Sequence, residues 1–110
     1  MTIEELKTYL GSVDRLLESR HERFGGTNSV AVNLGNVTMY MDETDSEYLS
    51  KPVEIHKVLK DKDIAFVIGD FSVPWEEEGM KIRWLLAGLK NEQGRYQLVI
   101  MHELHPSFKW

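Results

Sequence analysis

Six polar side chains lie in or beside segments that alternate like β-strands: Tyr40, Asp42, His56, Asp70, Tyr96 and His102. An aspartate beside a tyrosine hydroxyl or an imidazole can do general acid–base chemistry, provided the groups converge in one cavity. Asp70 stands between Gly69 and Phe71 in an otherwise apolar stretch. If it is buried there, its carboxylate needs hydrogen bonds, or its pKa rises until the group is neutral. Alternation puts Tyr96, Leu98, Ile100 and His102 on one face of the last strand, and Gln97, Val99, Met101 and Glu103 on the other. The first set is the more apolar and is assigned to the inside, which leaves His102 at the end of an apolar face. The candidate catalytic residues are therefore Asp70, His102 and Tyr40, and no spacing ties any two of them together. The commoner role for such residues is structural: a hydrogen-bonded histidine, a solvated aspartate.

Other chemistries find less support, and neither a metal nor a cofactor is expected. His102 and His105 are three apart, on opposite faces of a strand, so they cannot share an ion while the strand lasts. Asp42, Glu43, Asp45 and Glu47 lack the turn glycine and the distal glutamate of a calcium loop. The chain has no cysteine, which removes disulfides, thiolate zinc sites and thiol nucleophiles. It has no G-x-S-x-G elbow to activate a serine, and no phosphate-loop lysine follows Gly25-Gly26. Trp84, Met39, Met41, Tyr96, Leu98, Ile100 and His102 are the candidate lining of an apolar ligand site, although such residues equally make ordinary core.

These side chains need a scaffold, and one domain of 110 residues is long enough to bury a core. A net charge of −5 argues against non-specific nucleic-acid binding, which needs Lys and Arg at phosphates. No apolar run approaches the ~20 residues that span a bilayer. The charged start, Met-Thr-Ile-Glu-Glu, differs from a signal peptide, and a cytoplasmic location is expected.

The strongest element is the stretch 80–108, two apolar arms around Lys90-Asn91-Glu92-Gln93-Gly94-Arg95, which reads as a long β-hairpin. Residues 53–60 and 64–73 read as another, with the second arm apolar on both faces, Gly69 marking a bend or bulge, and Pro74 ending the strand. Residues 29–42 alternate around Gly35-Asn36 and read as a third hairpin, with a single bulged strand as the alternative. Residues 42–52 read as an acidic loop. Residues 2–24 predict a long helix: Thr2 and Glu5 form a capping box, Ile3, Leu6, Leu10, Val13 and Leu17 make one apolar stripe, and Gly25-Gly26 stops it. The expected fold is α+β, a long N-terminal helix packed on a curved, mostly antiparallel sheet of about six strands. One helix covers one face of such a sheet. Leu85, Leu89, Val99 and Met101 on the other face then predict a homodimer.

Part of the chain resembles a known family. Asp61-Lys62-Asp63-Ile64-Ala65-Phe66-Val67 resembles the charged turn and following strand of polyketide-cyclase-like (SnoaL-like) domains, in the nuclear transport factor 2 and ketosteroid isomerase superfamily. Gly94-Arg95-Tyr96 through His102 resembles their later strand, with tyrosine in place of tryptophan and Leu104 in place of serine. The resemblance covers 53–105. It implies a cystatin-like cone with a concave pocket, dimerisation through the sheet, and, in members that are enzymes, a carboxylate base with a tyrosine or protonated acid as oxyanion donor. The functional expectation is a non-catalytic, sensor-like domain binding a small apolar molecule. The alternatives are a small isomerase, cyclase or hydrolase using Asp70, Tyr40 or His102, and a dimerisation module.

Overall fold

The computed structural model describes residues 2–10, 30–73, 80–105 and 107. Helix α1, Ile3–Leu10, precedes strands β1, Val30–Asn33, and β2, Thr38–Met41. Helix α2, Glu43–Leu49, leads into β3, Pro52–Lys60, β4, Ile64–Ser72, β5, Lys81–Lys90, and β6, Tyr96–Glu103. The expected α+β fold with a long N-terminal helix does not hold: the described residues are mostly sheet, a curled six-strand half-barrel, and the N-terminal helix among them is short. That helix has eight residues, with Glu5 N–H donating to Thr2 Oγ1 at 3.2 Å as its cap. Val13, Leu17 and the rest of the expected stripe beyond Leu10 lie outside the described residues. Among the described residues, no helix is long and apolar enough to cross a membrane.

The strand order is β1-β2-β6-β5-β4-β3. Neighbours are antiparallel except β2 and β6, which run parallel through Met39↔Tyr96 and Tyr40↔Gln97. The β1–β2 turn sits at Gly35, whose φ of 79° favours glycine. The β5–β6 turn is built by Asn91, whose Oδ1 accepts from the N–H groups of Gln93 and Arg95, and by Gly94 at φ 77°.

Residues 42–52 are not a simple loop. Asp42 Oδ1 accepts from Asp45 N–H at 2.8 Å and starts α2, which buries Leu49. Helix α2 touches both β1 and β4. Three strands separate these in the sheet order, about 19 Å on a flat sheet at ~4.8 Å per strand. A helix about 10–12 Å across reaches both only if the sheet curls around it. The face bearing α2 is therefore concave.

Each face has its own apolar cluster. The concave one joins Leu49 to Met39, Met41, Val67, Phe71, Leu86 and Leu98. The other, convex, joins Leu6 of α1 to Ile64, Phe66, Ile68, Leu85, Ala87, Val99, Ile100 and Leu104. The two-sided burial of β4 follows from this arrangement, with 64–71 buried throughout.

Simple alternation along β6 is broken by a bulge. Ala87 pairs with Ile100 but Gly88 pairs with Leu98, so Val99 is an extra residue. Tyr96, Leu98 and Met101 pack with the concave cluster, while Val99 and Ile100 sit in the convex one. Of the four residues expected to meet a second copy, Leu85 and Val99 are buried within this single chain and Leu89 packs beside them. Met101 is on the opposite face.

Candidate functional site

Antiparallel register places directly opposite residues on one face. Glu54 of β3 lies opposite Asp70 of β4, and Asp70 lies opposite Arg83 of β5. Leu104 N–H donates to the Arg83 carbonyl at 2.8 Å, which continues the row onto the end of β6. Asp70 shares its alternation with Ile64, Phe66 and Ile68, so the row belongs to the convex face.

His56 joins the row through an irregularity in β3. Ile55 pairs with Gly69 and Lys57 with Ile68, so His56 is the unmatched residue of a bulge. Gly69 makes room for this irregular edge: a Cβ there would come within 2.9 Å of the Glu54 carbonyl oxygen.

Asp70 is the hub. Arg83 Nε donates to its Oδ1 at 2.8 Å and Arg83 Nη2 to its Oδ2 at 3.3 Å. His56 Nε2 lies 2.9 Å from Oδ2. Asp70 is 8% exposed, while the side chains of His56 and Arg83 are 16% and 20% exposed, so the pairs lie just beneath the surface. The Arg83 hydrogen bonds lower its pKa most; burial opposes, His56 assists, and the value falls from 3.8 to about 2. The same hydrogen bond raises the pKa of Arg83. An ionised carboxylate only accepts, so the hydrogen of the His56 contact belongs to Nε2.

A cleft of about 240 Å³ opens at the strand ends, lined by Asp70, Lys81, Ile82, Arg83, Glu103 and Leu104. It combines fixed opposite charges with two apolar walls. Such a site can orient a small charged molecule. Asp70 is a poor proton acceptor within it, since a carboxylate ionised down to pH ~2 is a weak base at neutral pH.

The residues singled out from the sequence are distributed differently. Tyr40 is on β2, with β6 and β5 between it and β4, and the Arg95 guanidinium lies 4.8 Å from its ring centre. His102 is exposed on β6 opposite Leu85. Neither lies opposite Asp70 in the sheet, where Glu54 and Arg83 are the partners. Met39, Met41 and Leu98 are fully buried in the concave core, where Met39 fills the space that a Cβ on Gly88 would occupy. Tyr96 donates its hydroxyl to the Asp61 carbonyl at 2.5 Å and so staples β6 to the β3–β4 turn. Its pKa is raised, by burial first and then by Asp61 and Asp63. Trp84 packs edge-on against Tyr48 with centroids 6.2 Å apart, and its buried Nε1 has no hydrogen-bond partner among the described residues. Ile100 is on the convex side, so the expected apolar lining is split between two faces.

Arg83 and Glu54 were not among the residues that stood out in the sequence; His56 was one of the six polar strand residues, but nothing in the sequence tied it to Asp70. One signal was present: Asp70 and Arg83 are opposite charges interrupting two apolar strands that are consecutive in the chain. Comparison of the chain with protein-family models, curated proteins and solved structures finds no match.

Proposed function

We propose that this chain is a non-catalytic domain that binds a small, charged molecule in the cleft at the ends of β4, β5 and β6. The observation that carries the reading is the fixed charge of that cleft: Asp70 held ionised by Arg83, with Lys81 and Glu103 beside the pair. Ile82 and Leu104 supply apolar contact. Pockets for drug-sized ligands usually measure about 300–1,000 Å³. A volume of about 240 Å³ favours a compact amino acid or short carboxylic acid over a polycyclic molecule. The cleft differs in chemistry from the apolar site expected around Trp84 and the methionines, of which Met39 and Met41 are fully buried core. Kinship with the polyketide-cyclase-like domains is part of the same proposal. What supports it is the local sequence pattern together with the antiparallel run β3-β4-β5-β6 over the resembling residues.

A second reading, a small isomerase, cyclase or hydrolase, draws on the 2.9 Å contact of His56 with Asp70. A carboxylate holding an imidazole in one orientation is a common arrangement for proton transfer.

Titration of the ¹⁵N-labelled protein with a panel of small amino and carboxylic acids tests the first reading. Saturable shifts are expected at the amides of Lys81–Arg83 and Glu103–Leu104, weakened at least tenfold by Lys81→Ala. No saturable shift, or shifts confined to another part of the sheet, would refute it. Turnover of a bound compound that disappears in His56→Gln would favour the enzyme.

A further inference from the structure

Glu54, His56 and Asp70 form a cluster of metal-ligating groups whose donor atoms all lie within 4.8 Å of one another. We propose that these three side chains form a binding site for a divalent transition ion of the zinc type on the convex face, at the β3 edge of the sheet. The inference does not depend on a ligand in the neighbouring cleft.

The backbone builds the set. Glu54 and Asp70 are a directly opposed cross-strand pair, and the β3 bulge adds His56 on the same side. Zinc bonds to nitrogen and oxygen are about 2.0–2.2 Å, so two donors on a tetrahedral ion stand about 3.4 Å apart. His56 Nε2 and Asp70 Oδ2, at 2.9 Å, open by about half an ångström to admit an ion. The largest donor separation, within 4.8 Å, closes by at most about 1.4 Å. Glu54 is exposed and its side chain has room to make that move.

The ion takes the place of the hydrogen in the 2.9 Å contact between His56 Nε2 and Asp70 Oδ2. Arg83 holds the carboxylate mainly by Oδ1, at 2.8 Å, and more weakly by Oδ2, at 3.3 Å, and fixes its orientation as hydrogen-bonding partners behind metal ligands do; an ion at Oδ2 displaces the weaker of the two bonds. The cation of Arg83 is outweighed locally: Glu54 and Asp70 together carry two negative charges against its one. One imidazole and two carboxylates suit zinc, nickel, cobalt or manganese better than magnesium, which prefers oxygen donors and keeps its waters. Three protein ligands leave an open coordination position, as in reactive rather than purely structural zinc sites.

Calorimetric titration of the full chain with Zn²⁺, and cobalt spectroscopy with Co²⁺, test the proposal. Expected are one equivalent of zinc bound at least tenfold more tightly than magnesium, a rise in the thermal midpoint, and visible cobalt bands. His56→Gln retains a hydrogen-bond donor toward Asp70 and should abolish the cobalt bands; Glu54→Gln, at an exposed position, should weaken zinc at least tenfold. His102→Gln and His105→Gln should leave binding unchanged. The proposal is overturned if the wild-type chain shows no saturable zinc or cobalt binding. Retention of wild-type affinity in folded Glu54→Gln or His56→Gln overturns it equally.

Discussion

Asp70 shows how one buried charge ties three strands together. Its pKa lies near 2, below the ordinary 3.8, because Arg83 and His56 bind its ionised form. A folded-state pKa below the unfolded value stabilises the fold above the unfolded pKa, and the contribution disappears as pH falls from about 4 to about 2. Allowing for screening at a site near the surface, the contribution at neutral pH is about 1 to 2 kcal/mol. Urea unfolding of wild type and Asp70→Asn should therefore show a gap at pH 6 that narrows steadily toward pH 2. A gap independent of pH would show that the carboxylate's charge is not what stabilises the fold. Gly69 is the complementary case of a residue defined by what it lacks. Its missing Cβ leaves room for the Glu54 carbonyl, so Gly69→Ala pushes the β3 edge away and should cost about 1 to 3 kcal/mol. A substitution that leaves the urea midpoint unchanged would mean that the edge strand yields freely at this point.

At the scale of elements, α2 has the least sequence signal and a central position. Its seven residues, Glu-Thr-Asp-Ser-Glu-Tyr-Leu, include only two large apolar side chains, too few to show a helical period. The helix exists because Asp42 caps it and because Leu49 is fully buried in the concave cluster while Tyr48 packs at its edge. Removing the Leu49 side chain should cost about 2 to 5 kcal/mol, the range for a large-to-small change in a packed core. Removing the cap through Asp42→Ala should cost about 1 kcal/mol. Chemical denaturation of the two variants gives the order; a larger loss at Asp42 than at Leu49 would mean that the cap and not the packing holds α2 in place.

For the whole molecule, the sheet divides into a long antiparallel part and a short appended hairpin. Strands β3 to β6 pair over most of their lengths, whereas β1 and β2 join the sheet through two residue pairs between β2 and β6. Few intervening hydrogen bonds make a low-energy opening. Native-state hydrogen exchange should therefore show β4 and β5 amides protected to the limit of global unfolding, with β1 and β2 opening well before it. Equal protection in both groups would mean that the concave core, through Met39 and Met41, binds the hairpin as firmly as the ladder binds the central strands.

Turns and strand alternation are local properties, and they were legible. Gly35 and Asn91-Gly94 mark reversals by their backbone preferences, and the apolar run of β4 announces burial on both faces. Tertiary structure decided what depends on register. Val99 and Ile100 are both apolar, so nothing in the composition of β6 betrays the bulge that moves Met101 to the concave side. Asp70 and Arg83 meet because β4 and β5 pair in one alignment, and a one-residue slip would turn the partners to opposite faces. The same applies to His56, an ordinary strand residue by sequence, which reaches Asp70 only as the unmatched residue of a bulge. Side-chain period is encoded residue by residue. Register is a sum of contacts between strands distant in the chain, and the folded sheet alone expresses that sum.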